Sequence, residues 1–83
     1  MPDFELSLHA KYMLKERGIP EEWVWRTIES ADKSELDTED NNWHYTKAIV
    51  EKENRVLRVV VNQGVNPYRI VTVFFDRRLR KTK

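Results

Sequence analysis

Histidine and arginine are the residues of this chain whose chemistry and spacing stand out. His9 precedes Arg17 in the stretch SLHAKYMLKERGIP, and Arg58 interrupts the valine-rich run RVLRVVVN. An imidazole can give or take a proton near neutral pH. The planar donors of a guanidinium fit the oxygens of a phosphate. Together these residue types predict proton transfer beside a bound phosphate.

Metal-independent RNA cleavage needs only a base, an acid and a cation that steadies the phosphate charge. We expect His9 to be the general base or acid, and Arg17 and Arg58 to hold the phosphate. Thr72 is expected to orient the phosphate or a neighbouring arginine, because strand alternation can place it on one polar face with Arg58. These four residues are the predicted catalytic set.

Further residues could contact the RNA chain. His44 lies between two aromatic residues in WHYTKAIVE, and such rings can stack on bases. Tyr12 and His44 are also alternative candidates for the second proton-transfer role. A basic tail at 77–83 is expected to bind the flanking phosphates. The tail residues predicted to do so are Arg77, Arg78, Arg80 and Lys81.

Each of these residues also has a simpler structural interpretation. His9 could be half-buried and cap local structure, and Arg17 could satisfy the last carbonyl groups of a helix. The aromatic residues around His44 could be ordinary strand packing. Arg58 could lie solvated on an open sheet face, and the tail could be a frayed terminus. The residue types alone leave both interpretations open.

The chain offers little for metal or cofactor chemistry. It has no cysteine, its two histidines are far apart, and it lacks the HExxH spacing of zinc enzymes. Gly18 and Gly64 are its only glycines, so the sequence contains no glycine-rich phosphate loop, and no GxSxG motif appears. We therefore predict neither a metal nor a cofactor.

The formal net charge of +1 conceals a strong asymmetry. Residues 1–40 carry 11 acidic and five basic side chains, whereas residues 41–83 carry three acidic and ten basic ones. Such separation indicates an anionic partner for the basic half. The length predicts a single domain over residues 1–83. No signal peptide or long apolar run is visible, so we expect a cytoplasmic protein with no membrane contact.

Two helices are expected in the first half of the chain. Ser7 can cap a helix that runs to about Arg17, and Gly18 suits the left-handed residue that ends it. Pro20 fits the first turn of a second helix. This helix should end in SADKSELDTEDNN, which is polar and rich in turn formers.

Strands are expected in the second half, because WHYTKAIVE, RVLRVVVN and YRIVTVFFD are rich in β-branched and aromatic residues. A short strand near Asp3–Leu6 could pair at the sheet edge. The predicted fold is therefore α+β, with two N-terminal helices packed on a three- to four-stranded antiparallel sheet. Alternation predicts that Leu57 and Val59 face the helices and that Ile70 shares a face with Thr72.

The order and spacing of SLHAKYMLKERGIP, LRVVV and YRIVTVFFD resemble a bacterial family of unknown function, DUF4258, over nearly the whole chain. That family is similar to the RelE/ParE-type toxins, which are small domains of helices and an antiparallel sheet. The resemblance implies the toxin of a type II toxin–antitoxin pair, with a small antitoxin protein as partner. His9, Arg17, Arg58 and Thr72 match the polar positions of the family pattern. Pro20 departs from it, since members often have a serine there.

The leading prediction from all these features is a metal-independent endoribonuclease toxin. One alternative is a non-catalytic module whose basic sheet and tail bind an acidic protein or a nucleic acid. Another is a toxin that inhibits a protein target such as gyrase, because a fold does not establish a reaction.

Overall fold

The computed structural model describes residues 3–79, which form two helices and a five-stranded sheet. The helices and strands are β1 (Phe4–Leu6), α1 (Leu8–Arg17), α2 (Glu21–Glu29), β2 (Lys33–Asp37), β3 (Asn42–Ile49), β4 (Arg55–Asn62) and β5 (Tyr68–Asp76). Short 3₁₀ turns follow β3 and β5, at Val50–Lys52 and Arg77–Leu79. No helix within residues 3–79 is long and apolar enough to cross a lipid bilayer.

The sheet has the strand order β1-β5-β4-β3-β2. Neighbours among β2 to β5 are antiparallel, whereas β1 pairs parallel with β5 through Phe4–Tyr68 and Leu6–Ile70. The α+β class and the two N-terminal helices are confirmed. The predicted three- to four-stranded antiparallel sheet is wrong in two respects, because there are five strands and the sheet is mixed.

The strand that the sequence did not predict is β2. Its residues, KSELD, are mostly charged or polar, and four of the five are exposed. They form a strand because Lys33 to Asp37 pair in register with Thr46 to Asn42 at the edge of the sheet. Charged residues on an edge strand limit its pairing with other chains, so the composition that suggested a loop is also typical of an edge.

Helix α1 begins and ends as the sequence predicted. The Ser7 hydroxyl accepts a hydrogen bond from the backbone N–H of Ala10 at 3.0 Å. At the other end, Gly18 adopts a left-handed conformation with φ of 62°. Its position lets the N–H of Ile19 donate to the carbonyl of Leu14 at 2.8 Å. These two ends hold the helix over one face of the sheet.

The core lies between the helices and that face of the sheet. Leu57, Val59 and Val61 of β4 are fully buried there, as predicted, against Ala10 of α1 and Val24 of α2. Their alternation leaves Arg58 on the opposite face, which we call the open face because neither helix packs on it.

A β-bulge in β5 changes which residues share a face. Val60 pairs with Thr72, but Val61 pairs with Ile70, so Val71 has no partner in β4. The extra residue rotates the strand, and Ile70 is buried in the core instead of sharing a face with Thr72 as predicted. Ser7 stabilises the bulge, since its hydroxyl donates to the Val71 carbonyl at 3.0 Å.

Candidate functional site

The register of the sheet aligns four side chains in a row across the open face. Lys33 pairs with Thr46, Thr46 with Arg58, and Arg58 with Phe74. Residues that are directly opposed in antiparallel strands project to the same face of the sheet. The row therefore places an ammonium group, a hydroxyl, a guanidinium and an aromatic ring side by side.

A second row runs beside the first. It is formed in the same way by Glu35, His44, Val60 and Thr72, one from each of the strands β2 to β5. Val60 is buried between its neighbours. His44 and Arg58 lie on adjacent strands in adjacent rows, and their side chains meet.

Arg58 is held by a buried carboxylate at the end of β5. Its Nε and Nη2 atoms both lie 2.9 Å from Oδ2 of Asp76. Only 5% of Asp76 is accessible to solvent. Two donors on one buried oxygen fix the plane of the guanidinium, and the remaining guanidinium nitrogen, Nη1, does not bind Asp76.

The Nη1 atom of Arg58 contacts His44. It lies 2.8 Å from Nδ1 of the imidazole, and the Nε2 atom of the same ring lies 3.0 Å from Oδ2 of Asp40. A guanidinium can only donate, so Nδ1 is the acceptor and carries no proton. The imidazole is therefore assigned as neutral with its proton on Nε2, which donates to Asp40.

These groups surround a small pocket of about 110 Å³ on the open face. Its walls are formed by Lys33, Glu35, His44, Thr46 and Arg58. Within it, Arg58 is held in place beside a neutral imidazole, whereas Lys33 is exposed and pairs with Glu35 at 3.2 Å. A guanidinium beside an imidazole can bind an oxyanion and move a proton. The pocket is too small for a nucleobase and its phosphate together, so it suits the phosphate group alone.

Two carboxylates of this network titrate below their ordinary range. Burial works against the ionised form of Asp76, but the N–H of Arg78 and the guanidinium of Arg58 outweigh it and lower the pKa of this carboxyl. Burial opposes the charge of Asp40 in the same way, yet the N–H of Asn42 and the ring of His44 lower its pKa. Both carboxylates are thus ionised at neutral pH.

A metal centre fits this site poorly, although Asp37, Asp40 and His44 bring three possible ligand atoms within 4.8 Å of one another. A histidine that binds a metal through Nε2 usually donates its Nδ1–H to an acceptor. Here Nδ1 faces the donor Nη1 of Arg58. The hydrogen-bond pattern therefore fits a carboxylate–imidazole pair and opposes a metal on Nε2.

The structure does not bring His9 and Arg17 to this pocket. Both lie on α1, which packs on the opposite side of the sheet from Arg58 through Ala10 and Leu14. His9 and Arg17 are exposed, and neither makes a hydrogen bond or ion pair with another side chain in residues 3–79. The predicted convergence of His9 with Arg58 is therefore not observed. Tyr12 also lies exposed on α1.

The remaining predicted residues are Thr72 of β5 and the basic residues that follow this strand. Thr72 is on this face, as predicted, but Val60 separates it from His44 in the second row. Arg77 and Arg78 begin the 3₁₀ turn after β5, and the backbone N–H of Arg78 donates to Asp76 at 3.0 Å. Arg80 and Lys81 lie outside the residues that the structure describes.

Sequence reasoning missed Asp76 and Asp40 as parts of the site. A signal for Asp76 was present, because it is the one acid in YRIVTVFFD and a lone arginine in the neighbouring strand needs a counter-ion. Asp40 gave no comparable signal within its acidic stretch. Its contact with His44 depends on the pairing of β2 with β3, which the sequence did not predict.

The comparison with protein families gives one match. The family model described as Domain of unknown function (DUF4258) matches residues 6–75, a span from the end of β1 to the penultimate residue of β5. Neither curated proteins nor solved structures show a match to this chain. Because the matched residues cover well over half of the sequence, the chain belongs to the DUF4258 family.

Proposed function

We propose that this chain is a metal-independent endoribonuclease whose site lies on the open face, around His44 and Arg58. The observation that supports this proposal is the contact of 2.8 Å between Arg58 Nη1 and His44 Nδ1, beside Asp40. The contact supports the proposal because a guanidinium and an imidazole line one pocket and a carboxylate lies behind the imidazole. His44 takes the role that the sequence suggested for His9, and Lys33 takes that of Arg17.

The hydrogen bonds of His44 define how it would act as a base. A phosphate oxygen that takes over Nη1 of Arg58 leaves the lone pair of Nδ1 free to accept the 2′-hydroxyl proton. Asp40 then stabilises the imidazolium through Nε2–H, as a carboxylate does behind the histidine of a hydrolase. The 2′-oxygen attacks phosphorus and the bond to the 5′-oxygen breaks. The imidazolium of His44 returns its proton to the leaving 5′-oxygen, and a 2′,3′-cyclic phosphate remains.

The charges around the pocket favour a polyanionic substrate at one end of the sheet. A second pocket, of about 300 Å³, shares Asp76 with this network and is lined by Glu53, Arg55, Asp76 and Arg77. In this proposal Arg55 and Arg77 contact the phosphate next to the one that is cleaved, although Glu53 and Asp76 balance their charge within the pocket. The sequence continues after Arg77 with the further cationic residues Arg78, Arg80, Lys81 and Lys83.

The wider role that we propose is that of a cytoplasmic toxin similar to the RelE/ParE type, inhibited by a small cognate antitoxin. Two N-terminal helices over a largely antiparallel sheet support this relationship. Excess negative charge in residues 1–40 is compatible with a basic partner protein, whereas the second half suits RNA.

A non-catalytic binding module is the second candidate, and one observation favours it. Arg58 is already paired by Asp76 and His44, and its side chain is only 16% exposed. A guanidinium so fully engaged can serve to stabilise the open face. In that case RNA or an acidic protein would bind the basic surface without turnover.

Cleavage of RNA in the presence of a chelator tests the proposal. Purified protein should convert RNA to fragments with 2′,3′-cyclic phosphate ends. His44→Ala and Arg58→Gln should each reduce the rate at least a hundredfold, since general acid–base groups contribute about 10² to 10⁴. An unchanged rate for either variant would refute this site, and binding without cleavage by the unmodified protein would favour the second candidate.

His9→Ala provides the discriminating comparison. It removes the other imidazole of the chain from an exposed position on the opposite side of the sheet. If His9→Ala still cleaves RNA and His44→Ala does not, the reaction belongs to the open face. If His44→Ala cleaves RNA and His9→Ala does not, the catalytic residues are those predicted from the sequence. Lys11→Ala, an exposed cation of α1, controls for the loss of positive charge. Growth arrest with intact RNA would instead indicate a protein target.

A further inference from the structure

We propose that the substrate of this site is single-stranded RNA and that Phe74 stacks on the base next to the phosphate held by Arg58. This inference rests on the proposed function, because it names the substrate class and a specificity residue of the same site. It follows from the position of one aromatic ring that lies outside the core and beside Arg58.

Phe74 differs from most aromatic residues of the chain. Of the nine, seven pack against the core. The two others are Tyr12, which is exposed on α1, and Phe74, which lies on the open face. Phe74 is partly exposed on that face, so part of its ring is accessible to a ligand.

Phe74 lies beside Arg58 in the register of the sheet. Phe74 is the direct cross-strand partner of Arg58 in the antiparallel pair β4–β5. Neighbouring strands are about 4.8 Å apart, a span that is comparable to the distance between the phosphate and the base of one nucleotide. A nucleotide laid across the row can therefore place its phosphate at Arg58 and its base on Phe74.

The side of Phe74 away from Arg58 is open to a ligand. β1 pairs with β5 only as far as Ile70, so within residues 3–79 the strand has no neighbour beside Phe74 on that edge. Thr72, the next residue on the same face, is partly exposed and offers a hydroxyl beside the ring. An aromatic face with an adjacent hydrogen-bonding group is the usual platform for an unpaired base.

This geometry selects against duplex RNA. In an A-form helix the bases are stacked on one another, and their faces are unavailable to a protein side chain. The phosphate pocket alone would accept either form, since both carry the same charge. Preference for unpaired RNA is therefore the property that Phe74 contributes beyond the charge of Arg58 and Lys33.

Binding to a non-cleavable oligonucleotide tests the inference without depending on turnover. The probe is a fluorescein-labelled ten-nucleotide 2′-O-methyl RNA, in which the nucleophilic hydroxyl is blocked, used as a single strand and as a duplex. Fluorescence anisotropy should show tighter binding of the single strand. Phe74→Leu should weaken that binding by about five- to a hundredfold, the range that stacking on one base contributes. Phe74→Tyr keeps an aromatic ring and should bind like the unmodified protein.

The control is Leu8→Ala, which removes an exposed apolar side chain on α1 and should bind like the unmodified protein. The inference would be overturned if Phe74→Leu bound the single strand as tightly as the unmodified protein does. It would also be overturned if the unmodified protein bound the duplex as tightly as the single strand. A lack of all oligonucleotide binding would likewise overturn it and would point to a protein ligand on this face.

The two proposals can fail separately. If unmodified RNA is cut but Phe74→Leu binds normally, the nuclease assignment stands and the stacking does not. If the single strand binds through Phe74 but no RNA is cut, the reverse holds. Circular dichroism and thermal unfolding of each variant show that a loss of binding does not reflect a loss of fold.

Discussion

Arg58 donates from Nη1 to Nδ1 of His44 across 2.8 Å, and this one contact determines the state of the imidazole. With Nδ1 occupied as an acceptor, the ring proton lies on Nε2 and faces Asp40. The pair joins β3 to β4 on the face opposite the helices. The contributions of His44, Asp76 and Ser7 to the stability of the fold can be measured.

His44 should contribute to stability through this contact. His44→Ala leaves Nη1 of Arg58, whose side chain is 16% exposed, without its partner, and a largely buried unsatisfied group costs about 1–3 kcal/mol. Urea denaturation should show a loss of that size in the free energy of unfolding. His9→Ala is the matched control, expected to stay within about 0.5 kcal/mol because its imidazole is exposed. Equal losses in both variants would contradict the network.

Asp76 should matter more for stability than any exposed acid. Asp76→Ala leaves the guanidinium of Arg58 without its counter-ion on a largely buried surface, so we expect a loss of about 3 kcal/mol. Arg78→Ala removes the other cation near Asp76, but its side chain is 89% exposed and its ion pair should be worth less than about 1 kcal/mol. Thermal unfolding of the two variants should differ accordingly, and similar melting temperatures would show that Asp76 is not the anchor.

The lowered pKa of Asp76 predicts how stability depends on pH. Since the carboxyl titrates lower in the folded chain than its ordinary value of about 3.9, the unfolded chain takes up the proton first on acidification. The contribution of Asp76 is therefore complete above about pH 4 and is lost as the pH falls through the folded-state value. Asp76→Asn should flatten the acid limb of a stability profile measured from pH 6 to pH 2. If the variant loses stability on acidification as steeply as the unmodified protein does, other carboxyl groups cause the acid sensitivity.

Ser7 should link helix and sheet. Its hydroxyl accepts from Ala10 in α1 and donates to the Val71 carbonyl at the bulge of β5. Ser7→Ala removes both bonds, and we expect a loss of about 1–2 kcal/mol in the free energy of unfolding. Ser34→Ala, at an exposed position of β2, should have little effect. Chemical denaturation compares them, and a Ser7→Ala variant as stable as Ser34→Ala would show that the bulge needs no such support.

Local patterns in the sequence were sufficient to predict the helices and the central strands. The cap at Ser7 and the stop at Gly18 depend on residues within one helical turn, so they can be read without knowledge of the fold. The burial of Leu57 and Val59 follows from alternation within one strand. These features are confirmed because each is encoded over a few neighbouring residues.

The candidate site depends on contacts between distant residues. The meeting of His44 with Arg58 requires the register of β3 against β4, and the contact with Asp40 requires β2, whose polar residues resemble a loop. The bulge at Val71 likewise gave no signal in the apolar run around it. Arg58 could be recognised as unusual from its own strand, but its partners could be found only from the assembled sheet.

The parallel pairing of β1 with β5 also determines when the domain can form during synthesis. β1 and α1 are translated before the other elements of this domain, yet the sheet surface on which α1 packs is completed by β5, the last strand of the described sheet. Until Tyr68 to Asp76 have emerged, the apolar side of α1 has no complete surface to cover it. Folding of this chain is therefore expected to follow translation of β5, and nascent chains that stop before Tyr68 should remain targets for chaperones and proteases.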